Sequence, residues 1–254
     1  MIRVIKLGGR VQSDPELAVA IASLWNSSPG GLCIVHGGGD EISGLQRALG
    51  REPVFINGRR VTTPADMELV RMVLSGSTNK RLIATLRREG LPAVGISGED
   101  AGLLSAEPID PEVFGRSGRP VAADTAIINT LLVGGYLPVI SPVGVDFTSS
   151  TNEPLNVNGD DASALIAAAL AAELWLVADV EGVLDADQQL IDHLDEAQVE
   201  ELVAAGTVNS GMQAKLEAGF EALARGASVV RIVGLAALAS NGEGTSLSLT
   251  KSMQ

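Results

Sequence analysis

A lysine stands where an apolar run gives way to glycine in the opening stretch "VIKLGG". Strand-forming residues precede Lys6, and Gly8 and Gly9 follow it almost at once. An ammonium group beside such a turn could meet an anion, because glycine lets the backbone approach a ligand and point N–H groups at it. The ordinary alternative is a solvated lysine before a turn. The rest of the chain must decide between these two interpretations.

Two further glycine clusters follow apolar runs, in "IVHGGG", which contains Gly38 and Gly39, and in "GISGED". Ligands of open α/β sheets bind beyond the carboxyl ends of the strands, near helix N-termini. Three glycine clusters at the same topological place therefore predict an anion site. Neither GxxxxGK[ST] nor GxGxxG occurs, which excludes a P-loop protein and a standard dinucleotide-binding Rossmann domain.

Polar residues cluster directly before a strong helical pattern in "NVNGDDASALIAAAL". Asn156 and Asn158 precede the helix, and Asp160 or Asp161 could cap it or bind a ligand. Lys215 in "VNSGMQAKLEAG" lies one turn inside another helix, where a solvated side chain is the common outcome.

Two more charged residues have an ordinary explanation beside the functional one. Asp179 ends the buried strand of "LVADVEGVLD" and could cap a helix or bind a ligand. Arg60 in "NGRRVT" lies on the second arm of a predicted hairpin around Asn57–Gly58, where an exposed arginine would be unremarkable chemically.

The elements that must position these residues alternate between continuous apolar strands and helices. Strands are predicted at "IRVIKL", "GLCIVH", "PAVGIS", "YLPVISP", "ELWLVADV" and "SVVRIVG", with helices between them. A long helix over 64–88 is expected to bend or break near Gly76. This alternation predicts a mostly parallel sheet covered on both faces. The polar stretch 146–154 is the predicted lobe boundary.

Composition excludes several classes of function. The 254 residues carry a net charge of −13 and only 3% aromatic residues, which argues against nucleic acid and anionic membranes as partners. Glu173 interrupts the longest apolar run, and no signal peptide is expected before the first strand. Cys33, the one cysteine, lies in an apolar run and is expected to be a buried thiol. A cytoplasmic protein that binds a small molecule is predicted.

Taken in order, the motifs resemble those of the amino acid kinase family: "KLGG", "VHGGG", "NGRRVT", "SGSTNK", "GISGED", "YLPVISPVG", "NVNGDDAS", "ADVEGVLD" and "GMQAKLEA". They are most similar to members that phosphorylate the side-chain carboxylate of N-acetyl-L-glutamate. The resemblance implies a three-layer αβα sandwich with a mostly parallel central sheet and two lobes. Residues 1–155 would bind the acyl amino acid and residues 156–254 the nucleotide.

The resemblance also implies a role for each site residue. Lys6 and Lys215 would stabilise the transferring phosphoryl group from the acceptor side and the ADP side, and Asp160 would orient both. Arg60 would bind the substrate α-carboxylate. The acceptor site would further include Gly38, Gly39, Asn156 and Asn158. The phosphate and nucleotide site would include Gly8, Gly9, Asp179, Val180, Glu181, Gly182, Val183, Leu184, Thr207, Val208 and Asn209. ATP would carry Mg²⁺ on its phosphates, and no protein metal site is expected.

Some features depart from the family pattern. Gly159 and Asp161 stand where relatives commonly carry alanine and a neutral polar residue, and an extra acid would disfavour phosphate unless it points outward to cap the helix. "RIVGLAALAS" lacks the polar turn often found after the last long strand. Two alternatives therefore stay open: a kinase of the same fold acting on a carrier-linked aminoadipate or glutamate, and a non-catalytic regulator that binds the ligand.

Assembly is predicted from the same resemblance. Relatives inhibited by arginine carry an extra N-terminal helix that links dimers into hexamers, whereas the first strand here begins at about Ile2. A homodimer that arginine does not inhibit by that route is expected, with the 64–88 helix as the first candidate interface.

Overall fold

The computed structural model describes residues 1–240, 242 and 244–250 as alternating strands and helices. The strands are β1 Arg3–Leu7, β2 Leu32–His36, β3 Phe55–Ile56, β4 Arg59–Arg60, β5 Ala93–Ser97, β6 Leu104–Pro108, β7 Ser117–Ala123, β8 Leu137–Ser141, β9 Val143–Asp146, β10 Glu153–Val157, β11 Glu173–Val177, β12 His193–Leu194, β13 Val229–Val233 and β14 Thr245–Leu247. The α-helices are α1 Leu17–Ser27, α2 Gly39–Ala48, α3 Pro64–Arg71, α4 Asn79–Arg88, α5 Pro111–Phe114, α6 Ala126–Val133, α7 Gly159–Ala169, α8 Glu196–Ala204, α9 Ser210–Ala224 and α10 Leu235–Ser240.

The central sheet has the strand order β12-β14-β13-β11-β1-β2-β8-β5. Its pairs are parallel except for β13 and β14, which are antiparallel. Strand β1 lies between β2 and β11, so Lys6 is in register with Val35 and Leu176. The carboxyl ends of these strands meet at one edge of the sheet, as the glycine clusters predict.

Alternation along each strand divides the core into two layers of side chains. Val4 packs with the face covered by α7 and α9, whereas Ile5 and Leu7 pack with the face covered by α1, α4 and α10. The predicted three-layer αβα sandwich with a mostly parallel sheet is confirmed. Lys6 follows the period of Val4, which directs it towards α7.

Four strands that the sequence analysis does not predict close into a small barrel, in the order β10-β7-β6-β9. Strands β9 and β10 pair antiparallel, so the polar stretch that begins at Asp146 connects two arms of one hairpin. These strands are short and interrupted by glycine and proline, which weakens their pattern. The division into lobes at about residue 155 stays a prediction.

The long helix over 64–88 is interrupted as expected. A π-helical segment, Met72–Thr78, separates α3 from α4 and contains Gly76. Thr63 and Asp66 form a capping box at the start of α3. The hairpin β3–β4 is also confirmed, with Asn57 and Gly58 at positive φ. No helix in the described part of the chain is long and apolar enough to cross a membrane.

Candidate active site

Lys6, Asp160 and Lys215 meet although they come from three elements of the chain. Strand β1 carries Lys6, the first turn of α7 carries Asp160, and α9 carries Lys215. One oxygen of Asp160, Oδ1, lies 2.8 Å from Lys6 Nζ and 3.0 Å from Lys215 Nζ. The solvated alternative for Lys6 is wrong, because this residue is only 6% exposed. Two ammonium groups therefore flank a single carboxylate.

The electrostatics of this cluster favour an incoming anion. Burial is the main cause that lowers the pKa of Lys6 to about 8. The positive charge of Lys215 lowers this pKa further, and the carboxylate of Asp160 opposes both effects only in part. Burial alone would raise the pKa of Asp160, but the two lysines outweigh it and hold this pKa below its ordinary value. At neutral pH the cluster carries two positive charges and one negative charge, which leaves it one positive charge for a ligand.

A cavity of about 240 Å³ lies on the Lys6 side of the cluster. Two of the glycine clusters, the hairpin and the start of α7 form its walls. The predicted site residues that line it are Lys6, Gly9, Gly38, Gly39, Arg60, Asn156, Asn158 and Asp160. The structure thus brings together most of the residues predicted for the acceptor side. Gly8, the neighbour of Gly9, is half-buried directly after β1 and is not among the residues that line this cavity, so its predicted role stays a prediction.

Arg60 is buried, so the exposed-arginine alternative is wrong. Its guanidinium donates to Gly39 O and Ser43 Oγ, both at 2.8 Å, and to Gln46 Oε1. The ring of Phe55 lies 4.6 Å from the guanidinium carbon. These contacts use part of the five N–H donors of Arg60 and hold the fork rigidly at the cavity wall, where it can bind a carboxylate.

Asn158, rather than either aspartate, caps α7. Its Oδ1 accepts a hydrogen bond of 2.7 Å from the backbone N–H of Asp160. This cap leaves the Asp160 carboxylate available for the lysines. Asn156 Nδ2 donates to Thr62 Oγ1 at 3.0 Å, which fixes the orientation of that amide beside the cavity.

Asp161 faces the hairpin. Its carboxylate accepts a hydrogen bond of 2.9 Å from the guanidinium of Arg59, the residue before Arg60. Burial raises the pKa of Asp161, and Arg59 opposes this shift. The alternative in which Asp161 caps the helix is therefore wrong, and the departure from the family pattern is matched by a cation that neutralises the extra acid.

A larger cleft, of about 1020 Å³, opens on the Lys215 side of the cluster. Asp160 lines both the cleft and the small cavity, so the two spaces meet at the charged cluster. The cleft is lined by five cationic side chains and by five carboxylates. The cations are Arg10, Arg59, Arg119, Lys215 and Arg225, and the carboxylates are Asp160, Asp161, Asp179, Glu217 and Glu221. Each of these cations forms an ion pair with a carboxylate, so the cleft offers guanidinium and ammonium donors to a ligand but no excess of positive charge.

The predicted nucleotide residues do not all face this cleft. Asp179, Val180 and Asn209 line it, and Asp179 also pairs with Arg10 at 3.1 Å. Asn209 caps α9 through a hydrogen bond of 2.9 Å from Met212 N.

Glu181, with Asp179 and Val180, lines a neighbouring cavity. Among the described residues, neither the cleft nor the cavities include the remaining five: Gly182, Val183, Leu184, Thr207 and Val208. Val183 is buried, and its N–H donates to Thr245 Oγ1. The roles of these five residues stay predictions.

Sequence reasoning missed residues that support the site from behind. Ser43 and Gln46 hold Arg60 from α2, and both are buried polar residues. The sequence spacing could have indicated them, because polar residues three apart lie on one face of a helix, here the buried face that also carries Ile42. Arg59 carries no such signal, because its partner lies 102 positions along the chain.

Comparisons with known proteins agree with this geometry. The amino acid kinase family model matches residues 1–234. Acetylglutamate kinase of Chloroflexus aurantiacus is 42% identical over 244 residues, which cover 95% of each chain. Acetylglutamate kinase of Geobacillus kaustophilus is 41% identical over 233 residues, covering 91% of this chain and 88% of the relative.

A solved structure has the same fold over nearly the whole length. The crystal structure of smu.665 from Streptococcus mutans UA159 superposes with a TM-score of 0.85 at 27% identity, covering 97% of this chain and 98% of that one. The match of sequence, fold and charged cluster has one consistent explanation: the chain belongs to the amino acid kinase family.

Proposed function

We propose that the chain transfers the γ-phosphoryl group of ATP to the side-chain carboxylate of N-acetyl-L-glutamate. The observation that carries this proposal is the bridge from Lys6 through Asp160 to Lys215, which lies where the small cavity meets the large cleft. The relatives named acetylglutamate kinase support the choice of acceptor, because their similarity extends over most of both chains.

The reaction needs positive charge more than it needs a base. A carboxylate oxygen of the acceptor forms a bond to the γ-phosphorus, while the bond from that phosphorus to the β,γ-bridging oxygen breaks and ADP leaves with its electron pair. The carboxylate is already ionised at neutral pH, so no proton has to be removed. Catalysis then rests on positioning and on stabilising the charge of the moving phosphoryl group.

The cluster supplies this charge from both sides. Lys6 stabilises the phosphoryl oxygens from the acceptor cavity, and Lys215 stabilises them from the nucleotide cleft. Asp160 holds the two ammonium groups near each other against their repulsion. The N–H groups of the glycine turns at Gly8–Gly9 and Gly38–Gly39 cradle the phosphoryl group and the attacking carboxylate.

The small cavity suits one acyl amino acid. Arg60 binds the α-carboxylate through its remaining N–H donors, a pairing that the planar guanidinium favours. Asn156 and Asn158 bind the amide and carboxylate ends of the acceptor. In this proposal, residues 1–155 supply most of the acceptor lobe and residues 156–254 the nucleotide lobe.

ATP occupies the large cleft. Asp179, Val180 and Asn209 line its wall, and the guanidinium and ammonium groups there offer N–H donors to the phosphates. The described residues contain no group of three or more His, Cys, Asp or Glu side chains placed to hold a metal ion. In this proposal Mg²⁺ arrives on the nucleotide phosphates, which is how this ion commonly binds in kinases.

A homodimer is part of the proposal. Met72, more than half exposed in the middle of the 64–88 helix, offers an apolar contact there. The carrier-linked alternative gains no support, because the relatives named acetylglutamate kinase match most of the chain. The non-catalytic alternative gains none, because Lys6, Asp160 and Lys215 are all present and in contact.

A trapping assay tests the proposal. Acyl phosphate is captured with hydroxylamine after incubation of the protein with ATP, Mg²⁺ and one of four acceptors: N-acetyl-L-glutamate, glutamate, aspartate or N-acetyl-aminoadipate. The proposal predicts hydroxamate chiefly from N-acetyl-L-glutamate. Absence of product from any free acceptor would overturn it and favour a carrier-linked substrate.

A further inference from the structure

His36 is buried behind the acceptor cavity, at the carboxyl end of β2. It is fully buried, and alternation along β2 directs it to the face covered by α4. Its Nδ1 lies 2.8 Å from Gly37 O, and its Nε2 lies 3.1 Å from the Nδ2 of Asn79, the first residue of α4. The proposed chemistry does not use this histidine, so its contacts require another explanation.

The partners of Asn79 fix the direction of every hydrogen bond in this network. Asn79 Nδ2 donates to Val139 O at 3.0 Å, and Asn79 Oδ1 accepts from Lys80 Nζ at 3.0 Å. A flipped amide would set oxygen against the Val139 carbonyl and nitrogen against the lysine. Nδ2 therefore faces His36 as a donor, so His36 Nε2 must accept.

The proton of His36 is consequently on Nδ1. A carbonyl oxygen can only accept, which requires a donor at Nδ1 for the contact with Gly37. Burial lowers the pKa of His36 to about 4, so the ring is neutral at the pH at which enzymes commonly work. Both ends of the network agree on one tautomer.

This tautomer has a consequence for the peptide between Gly37 and Gly38. The C=O of Gly37 is held by His36 and also lies 3.2 Å from Gln12 Nε2. In a planar trans peptide the N–H points opposite to the C=O. The N–H of Gly38 is therefore directed away from His36, and no acceptor within the described residues takes it.

We propose that His36, held in its Nδ1–H form by Asn79, is a positioning residue that turns the Gly38 N–H towards the acceptor cavity. Gly38 lines that cavity, where the attacking carboxylate and the moving phosphoryl group meet in the proposed function, on which this inference rests. A preset donor needs no reorganisation at the moment of transfer, which is the source of its catalytic value.

A glycine of strand β5 leaves room for this hydrogen-bond network. Gly95, in the "GISGED" motif, lies against Asn79, and a Cβ at this position would collide with the side-chain amide of Asn79. This contact explains why the "GISGED" motif begins with glycine, although the motif does not line the proposed site.

The tautomer is measured directly by long-range ¹H–¹⁵N NMR on the intact protein. The chain contains only two histidines, and His193→Asn removes the exposed one and assigns the spectrum. The inference predicts a protonated Nδ1 and an unprotonated Nε2 for His36. A protonated Nε2 would overturn it, whether or not the protein phosphorylates N-acetyl-L-glutamate.

Two substitutions separate the positioning role from simple packing. The side-chain amide of His36→Asn can still donate to Gly37 O, whereas His36→Leu cannot. Loss of one preset donor lowers kcat by roughly 10²–10³-fold in other enzymes, and we expect about 10- to 100-fold for His36→Leu because the peptide itself remains. KM for ATP should change less than about twofold, since the nucleotide cleft is untouched.

His36→Asn should recover most of the lost kcat. Equal kcat values for the two variants would overturn the positioning role. If His36→Leu does not fold, the NMR result alone decides. A wild-type protein without turnover would refute the proposed function and leave the tautomer measurement intact.

Discussion

Asp160→Asn should change both the rate and its pH dependence. Asp160 opposes the burial that lowers the pKa of Lys6, while Lys215 acts in the same direction as burial. Removing the carboxylate charge therefore lowers the pKa of Lys6 below its value of about 8. Breaking a buried ion pair costs about 3–5 kcal/mol, which corresponds to roughly 10²–10⁴-fold in kcat/KM if the transition state bears it.

The assay is the pH profile of kcat/KM for ATP at saturating N-acetyl-L-glutamate, which reports on the enzyme before the nucleotide binds. Lys6 acts as an ammonium group, so activity is present below its pKa and falls as the pH rises through it. The wild-type profile should decline near pH 8. The decline of Asp160→Asn should lie at lower pH.

Asp161→Asn is the matched control, because Asp161 pairs with Arg59 and contacts neither lysine within the salt-bridge distance. Its alkaline decline should remain at the wild-type position. An unshifted decline in Asp160→Asn, or the same shift in both variants, would refute the reasoning.

Three further predictions follow from single contacts. Gly159→Ala should raise the free energy of unfolding in urea by about 0.4–1 kcal/mol, because Gly159 is helical and an added Cβ would lie 3.4 Å from Lys6 Cε, 3.7 Å from His36 O and 3.8 Å from Pro142 Cγ, all van der Waals distances. Destabilisation would mean that these neighbours cannot accommodate the methyl group. Arg59→Ala should raise KM for N-acetyl-L-glutamate about fivefold. The partly buried ion pair with Asp161 holds the hairpin beside the cavity and contributes about 1 kcal/mol. An unchanged KM would exclude that role. Cys33 should resist thiol reagents at pH 8 in the native protein, because it is buried and burial raises its pKa to about 12. After denaturation one thiol per chain should react. Rapid labelling of the native protein would contradict this placement.

The sequence was sufficient for features that repeat a local rule. Apolar strands alternating with helices predict the central sheet, and the turn residues Asn57 and Gly58 predict the hairpin. The alternation of Val4, Ile5 and Lys6 even determines the face on which the lysine lies, once β1 is known to be buried.

Features that depend on distant pairing could not be predicted in the same way. The pair of Arg59 with Asp161 and the network of His36 with Asn79 join elements far apart in the chain. Capping was ambiguous for a related reason, since Asn158, Asp160 and Asp161 can all cap a helix and only packing selects among them. The barrel strands were missed because their short runs contain glycine and proline.

The most direct test of the central claim is ³¹P NMR of the protein mixed with ATP, Mg²⁺ and N-acetyl-L-glutamate labelled with ¹⁸O in its side-chain carboxylate. The account predicts ADP and an acyl phosphate in equal amounts, with ¹⁸O in the bond to phosphorus, and near-complete loss of both products in Lys6→Met and Lys215→Met. ADP formed together with inorganic phosphate free of ¹⁸O and no acyl phosphate, or undiminished transfer in either lysine variant, would contradict it.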